Sequence, residues 1–197
     1  MIPKATTLTF LGRAGSGKDT QGDFLRKRQD LSRASEISTG DIFREFAKKE
    51  SLLGKKTKEV LDAGKRQPDW FAFAVWLFGF GEAVKGEEIL LSTGSPRSLR
   101  EAKLIDEALE FLGRPKAIAI FINVDRNEAK KRLLLRARYD DKEGEIERRL
   151  DWFDTDVFPA VSYYKEGGRL IEVNGNLSPE EVSKELENKI ESYFSNK

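Results

Sequence analysis

Short apolar segments alternate with amphipathic ones along this chain. Four segments have the apolar, β-prone character of strands, at residues 5–11, 89–92, 117–124 and 170–173. Amphipathic segments with helical spacing occupy residues 18–28, 98–112, 126–136, 145–164 and 178–193. Because strands and helices alternate, the pattern predicts an α/β fold in which helices wrap a parallel sheet. The nearly continuous apolar segment 117–124 is typical of a strand buried on both faces.

Two segments interrupt this alternation. Residues 42–67 are helical in pattern and highly charged, with no predicted strand of their own. Residues 137–144 form a polar interruption between two predicted helices. Each is either a mobile flap over the ends of the sheet or ordinary solvated surface, and the pattern alone leaves both interpretations open.

The aromatic segment 70–80 is apolar on all sides, reading Trp-Phe-Ala-Phe-Ala-Val-Trp-Leu-Phe-Gly-Phe. A helix of this character is predicted to lie in the core. The alternative is a self-association surface, because the segment carries more aromatic area than one helix face usually buries.

Composition excludes several classes of site. The chain has 197 residues, of which 39% are hydrophobic and 35% charged, with a net charge of +1. An almost neutral chain has no overall field to attract nucleic acid or an anionic membrane, so any anion site must be built locally. The absence of Cys and His excludes disulfides, thiol nucleophiles and cysteine-bound zinc, and removes the commonest general base.

Targeting signals are also missing from the sequence. Residues 1–10 lack a basic region followed by a cleavable apolar stretch, and no apolar run approaches the ~20 residues of a spanning helix. We therefore expect a soluble, cytoplasmic protein that consists of a single domain.

A glycine-rich loop directly follows the first predicted strand. Residues 12–18 read Gly-Arg-Ala-Gly-Ser-Gly-Lys, which matches the phosphate-binding pattern Gly-x-x-x-x-Gly-Lys in the required position between a strand and a helix. Glycines let successive backbone N–H groups point into one concavity, and the helix N-terminus adds partial positive charge. Lys18 supplies a cation for the β- and γ-phosphates. A dinucleotide-binding pattern is excluded because its third glycine would fall at Thr20.

The residue after Lys18 is Asp19, where such loops usually have Ser, Thr or Gly. A carboxylate so close to bound phosphates is repulsive unless a metal lies between them, so Asp19 is a candidate contact for Mg²⁺, directly or through water. The alternative is that Asp19 points outward in the first helical turn, where the helix dipole favours a negative charge.

Four motifs, in order along the chain, resemble those of the adenylate kinase family of nucleoside monophosphate kinases. Gly-Ser-Gly-Lys-Asp-Thr-Gln at 15–21 resembles the family's phosphate loop, and Ser-Thr-Gly-Asp-Ile-Phe-Arg at 38–44 resembles its monophosphate-binding signature. Gly-Ser-Pro-Arg at 94–97 resembles its Gly-aromatic-Pro-Arg turn. The family has a set of arginines and acidic residues around its lid, and the residues that resemble this set are Arg136, Arg138, Asp140, Asp141 and Arg149. The resemblance covers nearly the whole chain.

The resemblance implies a P-loop NTPase fold, in which residues 1–197 form one three-layer α/β/α domain with a five-stranded parallel sheet. It also implies a helical insertion at about 39–67 that binds the nucleoside monophosphate, and a short lid at about 137–146. The two segments that interrupt the alternation thus become two closing flaps, which would expel water from the reaction centre.

The implied reaction transfers the γ-phosphate of ATP, bound with Mg²⁺, to AMP, so that ATP and AMP give two ADP. It requires in-line placement of phosphates and neutralisation of their charge rather than a general base, so the lack of His is no obstacle. The implied catalytic residues are Lys18, Arg97, Arg136, Arg138 and Arg149. Those implied for ATP are Gly15, Ser16, Gly17, Lys18, Asp19, Thr20, Arg132 and Asn176. Those implied for the monophosphate are Thr39, Gly40, Arg44, Gln67, Gly94, Arg97, Glu101, Arg138 and Arg149.

Some of these roles are implied in more detail. Asp140 and Asp141 would hold the lid arginines when they swing inward. Arg132 would stack on the adenine of ATP, whose edge the backbone at 174–176 would read. No protein group is implied as a direct metal ligand apart from the possible contact of Asp19.

Three positions depart from the family pattern. Thr93 stands where the family has an Asp that orders the water shell of Mg²⁺, and Asp19 is a candidate to compensate for it. Ser95 replaces an aromatic residue. Glu101 replaces a Gln whose amide offers both a donor and an acceptor to adenine, whereas a carboxylate only accepts.

Glu101 leaves the acceptor base open. Guanine presents two adjacent donors and suits a carboxylate better than adenine does, but the amide of Gln67, expected beside the same pocket, would restore adenine recognition. We expect AMP as the acceptor, with GMP or another monophosphate as the alternative. Two different functions also stay open, a nucleotide-binding regulator with little turnover and a P-loop kinase for a small metabolite. The expected partners are nucleotides, without nucleic acid or membrane, and the expected state is a monomer.

Overall fold

The computed structural model describes residues 2–136 and 143–195, which contain a five-stranded parallel sheet. Its strands are β1 (Thr7–Leu11), β2 (Ser35–Ser38), β3 (Leu90–Thr93), β4 (Ile118–Asn123) and β5 (Leu170–Asn174). Their order is β2-β3-β1-β4-β5, and every neighbouring pair is parallel. The predicted α/β fold is therefore confirmed, and the carboxyl ends of all the strands lie along one edge.

Strand β2 is the one that the hydrophobic pattern does not predict. It reads Ser-Glu-Ile-Ser, and among its four residues only Ile37 is buried. The strand lies at the edge of the sheet and pairs with β3 on one side only. Its partner on that one side supplies the register, so it forms without the apolar run that marks the central strands.

The helices are α1 (Lys18–Arg26), α2 (Thr39–Ala47), α3 (Leu52–Asp62), α4 (Asp69–Ala83), α5 (Leu99–Phe111), α6 (Arg126–Arg136), α7 (Glu143–Trp152), α8 (Phe158–Glu166) and α9 (Pro179–Ser195). The helix predicted over 145–164 is broken by a π-helical turn at Phe153–Val157, called here the π segment. Pro159 has no N–H to donate to the carbonyl four residues earlier, which disfavours a continuous α-helix at this point. The wider turn lets both Phe153 and Val157 reach the core, where they are buried.

Helices cover both faces of the sheet. On one face, Ile120 and Ile122 of β4 pack in a cluster with Leu25 of α1 and Leu186 of α9. On the other, Phe121 lies in a cluster that includes residues of α4, α5 and α8. This is the three-layer arrangement expected, and it explains why β4 is apolar on both sides.

Helices α2 and α3 lie between β2 and α4 in the chain. They account for the charged segment 42–67, whose helical pattern is confirmed. A separate apolar cluster joins Phe43 of α2 to Phe71 and Val75 of α4, so this helical pair is anchored on α4. Residues 137–142, which make up most of the predicted lid, lie outside the described residues.

Helix α4 buries one face and exposes the other. Trp76 is fully buried and donates a hydrogen bond from Nε1 to Ser92 Oγ at 3.1 Å. In contrast, Trp70 is 62% exposed and Phe78 is 72% exposed. The prediction of a core helix therefore holds for one face, while self-association through the other face stays an open alternative. In the described part of the chain no helix combines the length and apolar character needed to cross a membrane.

The two faces of α4 should differ in their contribution to stability. Phe71→Ala removes a ring that packs edge-on against Phe43 at 5.2 Å and should lower the free energy of unfolding by about 3–5 kcal/mol. Phe78→Ala, on the outer face, should lower it by less than about 1 kcal/mol. Urea unfolding of both variants tests this, and equal losses would show that another surface covers Phe78.

Candidate functional site

A cleft of about 760 Å³ lies at the carboxyl edge of the sheet. Its walls come from the loop after β1, the start of α2, the turn after β3 and residues of α6 and α7. The sequence-predicted site residues that line it are Gly15, Ser16, Gly17, Lys18, Asp19, Thr20, Gly40, Arg44, Gly94, Arg97, Arg132, Arg136, Arg149 and Asn176. The fold therefore brings side chains from distant parts of the chain to one cavity.

The glycine-rich loop depends on two backbone conformations that favour glycine. Gly15 and Gly17 have φ angles of +81° and +89°. A Cβ atom on Gly15 would lie 2.7 Å from the carbonyl oxygen of Ala129, so the loop packs directly against the backbone of α6. Gly17 immediately precedes α1, and the N-terminus of that helix, with its partial positive charge, faces the cleft.

Lys18 is held inside the curve of the loop. Its Nζ donates hydrogen bonds to the carbonyl oxygens of Gly12 and Arg13, both at 2.8 Å, and to Ser16 Oγ at 3.2 Å. Burial lowers the pKa of Lys18 to about 8; the charge of Asp19 opposes this shift, while nearby arginines add to it. The ammonium group is thus poorly solvated, and a phosphate oxygen is a favourable partner for it.

The guanidinium groups of Arg44 and Arg97 converge above Gly40. A Cβ atom built on Gly40 would lie 3.5 Å from a terminal nitrogen of each of them. Arg97 is further fixed by a hydrogen bond from Nε to the carbonyl oxygen of Gly94 at 2.6 Å. Two planar cations side by side form a subsite suited to a phosphate group.

The pKa of Arg97 reflects the presence of other cations near it. Burial lowers the pKa of Arg97 from its usual value; Glu101 opposes the shift, and the charges of Arg149 and Arg44 add to it. Arg44 is paired with Asp41 one turn earlier on α2. The repulsion among the cations favours the binding of an anion between them.

Gly94 is required by the close packing of β3 against α2. Its φ is +80°, and a Cβ atom there would lie 2.7 Å from Thr39 Oγ1. Thr39 itself is fully buried, and its hydroxyl donates to the carbonyl oxygen of Thr93 at 3.4 Å. Thr39 therefore braces the subsite from behind and does not line the cleft.

The opposite end of the cleft is shaped by α6 and the loop after β5. Arg132 Nη1 donates to the carbonyl oxygen of Gly175 at 2.9 Å, and its Nε donates to Glu128 at 2.8 Å. Asn176 Oδ1 accepts from the backbone N–H of Asp125 at 3.0 Å. These contacts hold the loop at the position where the resemblance places the adenine of ATP.

Two residues expected near the acceptor base lie outside the cleft lining. Glu101 is fully buried, and its Oε2 accepts hydrogen bonds from Arg97 N at 3.0 Å and Ser95 Oγ at 3.2 Å. Its Oε1 faces Arg66 Nη1 at 3.3 Å. Burial raises the pKa of Glu101, and hydrogen bonding from the Arg97 backbone opposes that rise. Gln67 is also buried and donates from Nε2 to Thr57 O at 3.1 Å.

The remaining predicted residues divide between the cleft and the undescribed part of the chain. Arg136 and Arg149 line the cleft from α6 and α7. Arg138, Asp140 and Asp141 lie outside the described residues, so their predicted roles stay predictions.

Lys65 lines the cleft and was not predicted. It is placed by the end of α3, where Gly64 has a φ of +62° and Lys65 N donates to Val60 O at 3.0 Å. This is a glycine-dependent helix ending. The Gly-Lys pair after a helical pattern is therefore the signal that could have identified this cation. Leu61, Phe43 and Trp152 also line the cleft, and they had no such signal because apolar residues are common in every core.

The acidic groups at the cleft bear on metal binding. Among residues 2–136 and 143–195, no group of three or more carboxylates is arranged to hold a metal ion. Asp19 lines the cleft beside Lys18, and Thr93 Oγ1 is buried with no hydrogen-bond partner in the described structure. Asp19 alone fits Mg²⁺, which usually keeps several waters and is held mostly by substrate phosphates and one or two carboxylates, whereas Thr93 does not line the cleft.

The lowered pKa of Lys18 predicts a proton linkage. In the free protein, whose Lys18 pKa is about 8, the amine loses its charge as the pH rises above 8. Bound phosphates favour the charged form and raise its pKa, so ATP binding above pH 8 should take up a proton and weaken about tenfold per pH unit. Calorimetry at pH 9 in buffers of different ionisation enthalpy measures this uptake. The uptake should disappear in Lys18→Met, and its persistence there would assign the proton to another group.

Comparisons with known proteins agree with this geometry. The family model described as adenylate kinase matches residues 10–169. The chain is 33% identical to adenylate kinase 1 of Nostoc sp. over 92% of this chain and 96% of the relative. It is 34% identical to the adenylate kinase of Leptospira biflexa over 89% of this chain and 95% of the relative. With a matching family model over most of its length, and a phosphate loop and paired arginines at the edge of a parallel sheet, this protein belongs to the adenylate kinase family of phosphotransferases.

Proposed function

We propose that this protein is a nucleoside monophosphate kinase that transfers the γ-phosphate of ATP to AMP and forms two molecules of ADP. The observation that carries the proposal is the convergence of Lys18, Arg44, Arg97, Arg136 and Arg149 on one cleft. A site for a single phosphate group would not need cations from so many separate elements. Two nucleotides placed end to end would contact all of them.

The two subsites divide the work of phosphoryl transfer. Lys18 and the loop amides hold the phosphates of ATP, while Arg44 and Arg97 hold the phosphate of the acceptor. Arg136 and Arg149, on α6 and α7, neutralise the charge of the group in transit, which requires positioned cations rather than a base. Segments 39–67 and 137–146 act as the acceptor-binding insertion and the lid, and their closure excludes water.

The acceptor is AMP in this proposal, with GMP as the alternative. The relatives named above are adenylate kinases, which favours AMP. Glu101 is the feature that favours GMP, since a carboxylate can accept from two adjacent guanine donors. Its oxygens are already bonded to Arg97, Ser95 and Arg66, so little of its accepting capacity remains for a base. We therefore keep AMP first.

A four-substrate assay tests both the reaction and the base. ADP formation from ATP should be fastest with AMP, compared with GMP, CMP and UMP. Glu101→Gln should leave the AMP-to-GMP ratio of kcat/KM within about threefold, because the side chain lies outside the cleft lining and its oxygens are bonded to Arg97, Ser95 and Arg66. Glu107→Gln, at an exposed position on the same helix, is the matched control.

Each contrary result of this assay has a specific meaning. Tight binding of a bisubstrate analogue without ADP formation would identify a regulator instead of an enzyme. A clear preference for CMP or UMP would contradict both AMP and GMP. A tenfold or larger change of the AMP-to-GMP ratio in Glu101→Gln would assign Glu101 to base recognition.

Mg²⁺ bound with ATP is part of the proposal, and it would supply positive charge that offsets the negative charge of the phosphates. Asp19 is proposed to contact the ion or its water shell, in place of the acidic residue that the family pattern has at Thr93. Its place in the first turn of α1, next to Lys18, supports this role.

Asp19→Asn should therefore increase the Mg²⁺ concentration needed for half-maximal activity by about tenfold, as expected for loss of one charged contact of about 1–2 kcal/mol. A titration of activity against Mg²⁺ at fixed total ATP measures the shift. Asp23→Asn, at an exposed position on the same helix, is the control. An unchanged titration would place Asp19 in a purely helical role.

We also propose that the protein acts as a monomer in the cytoplasm. The cleft of a single chain already contains Lys18, Arg44, Arg97, Arg136 and Arg149, so catalysis in this proposal requires no second copy. Sedimentation at the assay concentration tests the monomer, and a dimer would direct attention to the exposed aromatic face of α4.

A further inference from the structure

The phosphate loop has a second contact outside the cleft. The side chain of Arg13 does not line the cleft; it extends to the π segment, where it pairs with the carboxylate of Asp154. Its guanidinium carbon lies 4.4 Å from the centre of the Phe153 ring. Phe153 is buried and stacks on Phe121 of the central sheet at 6.2 Å. The contact thus joins two parts of the molecule 141 residues apart in the sequence.

Arg13 is connected through its backbone to the cation of the loop. Its carbonyl oxygen accepts hydrogen bonds from Lys18 Nζ at 2.8 Å and from the backbone N–H of Ser16 at 3.1 Å. The side chain and the carbonyl of one residue therefore contact the π segment and Lys18 respectively. A shift of Arg13 would move the acceptor that orients the Lys18 ammonium group.

The π segment is linked just as directly to the acceptor side of the cleft. It follows α7, and Arg149 lies on the last turn of that helix. Asp156, at its other end, accepts from Arg66 Nε at 3.1 Å. Trp152 Nε1 donates to the carbonyl oxygen of Gly64 at 3.2 Å, next to Lys65 in the cleft. One turn of helix therefore contacts both sides of the site.

We propose that Arg13 and Asp154 are positioning residues, and that their contact fixes the phosphate loop relative to the helix that carries Arg149. The inference rests on the proposed function for its catalytic consequence. Lys18 and Arg149 must hold the same phosphoryl group from opposite sides. The contact sets the distance between the two cations without touching either nucleotide. A guanidinium confined both by a carboxylate and by a ring face has little freedom to move.

A different role would be purely electrostatic, in which Arg13 simply adds positive charge near the phosphates. The two roles predict opposite effects of Asp154→Asn on phosphate binding. On charge alone, Arg13→Ala would weaken phosphate binding, whereas Asp154→Asn would strengthen it by removing a negative charge. As a positioning contact, the two substitutions would have the same effect.

The test compares a ligand that spans both subsites with one that occupies a single subsite. The probes are a bisubstrate analogue, two adenosines joined by five phosphates, and ATP alone, with binding measured by calorimetry. Arg13→Ala and Asp154→Asn should each weaken binding of the analogue about tenfold, because a misplaced phosphate loop prevents the analogue from contacting both subsites at once. ATP occupies one subsite only, so its binding should stay within about twofold. Each should lower kcat by a similar factor with little change in KM. The double variant should be no worse than either single variant.

Arg28→Ala provides the matched control. The Arg28 side chain is 17% exposed, as is that of Arg13, and it also pairs with an Asp, Asp30, but away from the cleft. Thermal melting of each variant measures any general loss of stability. The control should leave analogue binding and kcat unchanged even if its melting temperature falls.

The outcomes separate this proposal from the proposed function. Opposite effects of Arg13→Ala and Asp154→Asn, additive effects in the double variant, or an equal effect in Arg28→Ala would each overturn the positioning role. Because the binding measurements need no turnover, they stand even if the wild-type protein forms no ADP. In that case the proposed function would fail while the positioning contact is still tested.

Discussion

The central constraint on this protein is the need to keep several positive groups close together at an edge of the sheet where they are partly shielded from water. Lys18 and Arg97 both have pKa values lowered by burial and by neighbouring cations. Such an arrangement is unfavourable in the free protein, because charged groups lose solvation and repel one another. A phosphate ligand gives these cations an opposite charge and reduces their repulsion. This relief adds to the affinity of the site for nucleotides.

The side chains of Lys18 and Arg97 are held by backbone carbonyl groups rather than by carboxylates. Lys18 is held by the carbonyl oxygens of Gly12 and Arg13, and Arg97 by that of Gly94. A carbonyl dipole orients a cation without neutralising it, whereas a carboxylate would compete with the incoming phosphate. The carboxyl edge of a parallel sheet supplies such loops from several strands at once. This explains why the cleft lies there.

Carboxylates are used instead behind the cleft. Arg66 pairs with Asp69 and contacts Glu101 and Asp156, joining α4, α5 and the π segment. The three acids and the guanidinium satisfy one another and hold these elements in register, since separating them would leave the buried carboxylate of Glu101 unpaired. Glu101 and the π segment therefore belong to the same ion-pair network around Arg66. Because Glu101 accepts from the backbone N–H of Arg97, the identity of residue 101 bears on the shape of the site.

The parts of this protein that follow from local sequence are those set by local physics. Residues 117–124 are almost continuously apolar and include the central strand β4, and the glycine pattern at 12–18 allows the loop and Lys18 to be identified. The edge strand β2 and the π segment could not be found in the same way. Strand β2 is stabilised by pairing with β3, and the π segment by the burial of Phe153 and Val157.

The candidate site also has some features that follow from local sequence and others that depend on tertiary contacts. The residue types and their order predicted a phosphate site, and most of the predicted side chains line one cleft. Three outcomes depended on packing between distant elements: Lys65 lines the cleft, Glu101 and Gln67 are buried behind it, and Arg13 reaches the π segment. The sequence by itself determined which charges this protein carries and the glycine-rich loop that is predicted to bind phosphate. Only the tertiary structure decided which charges meet, because each such contact depends on the relative placement of whole helices and strands.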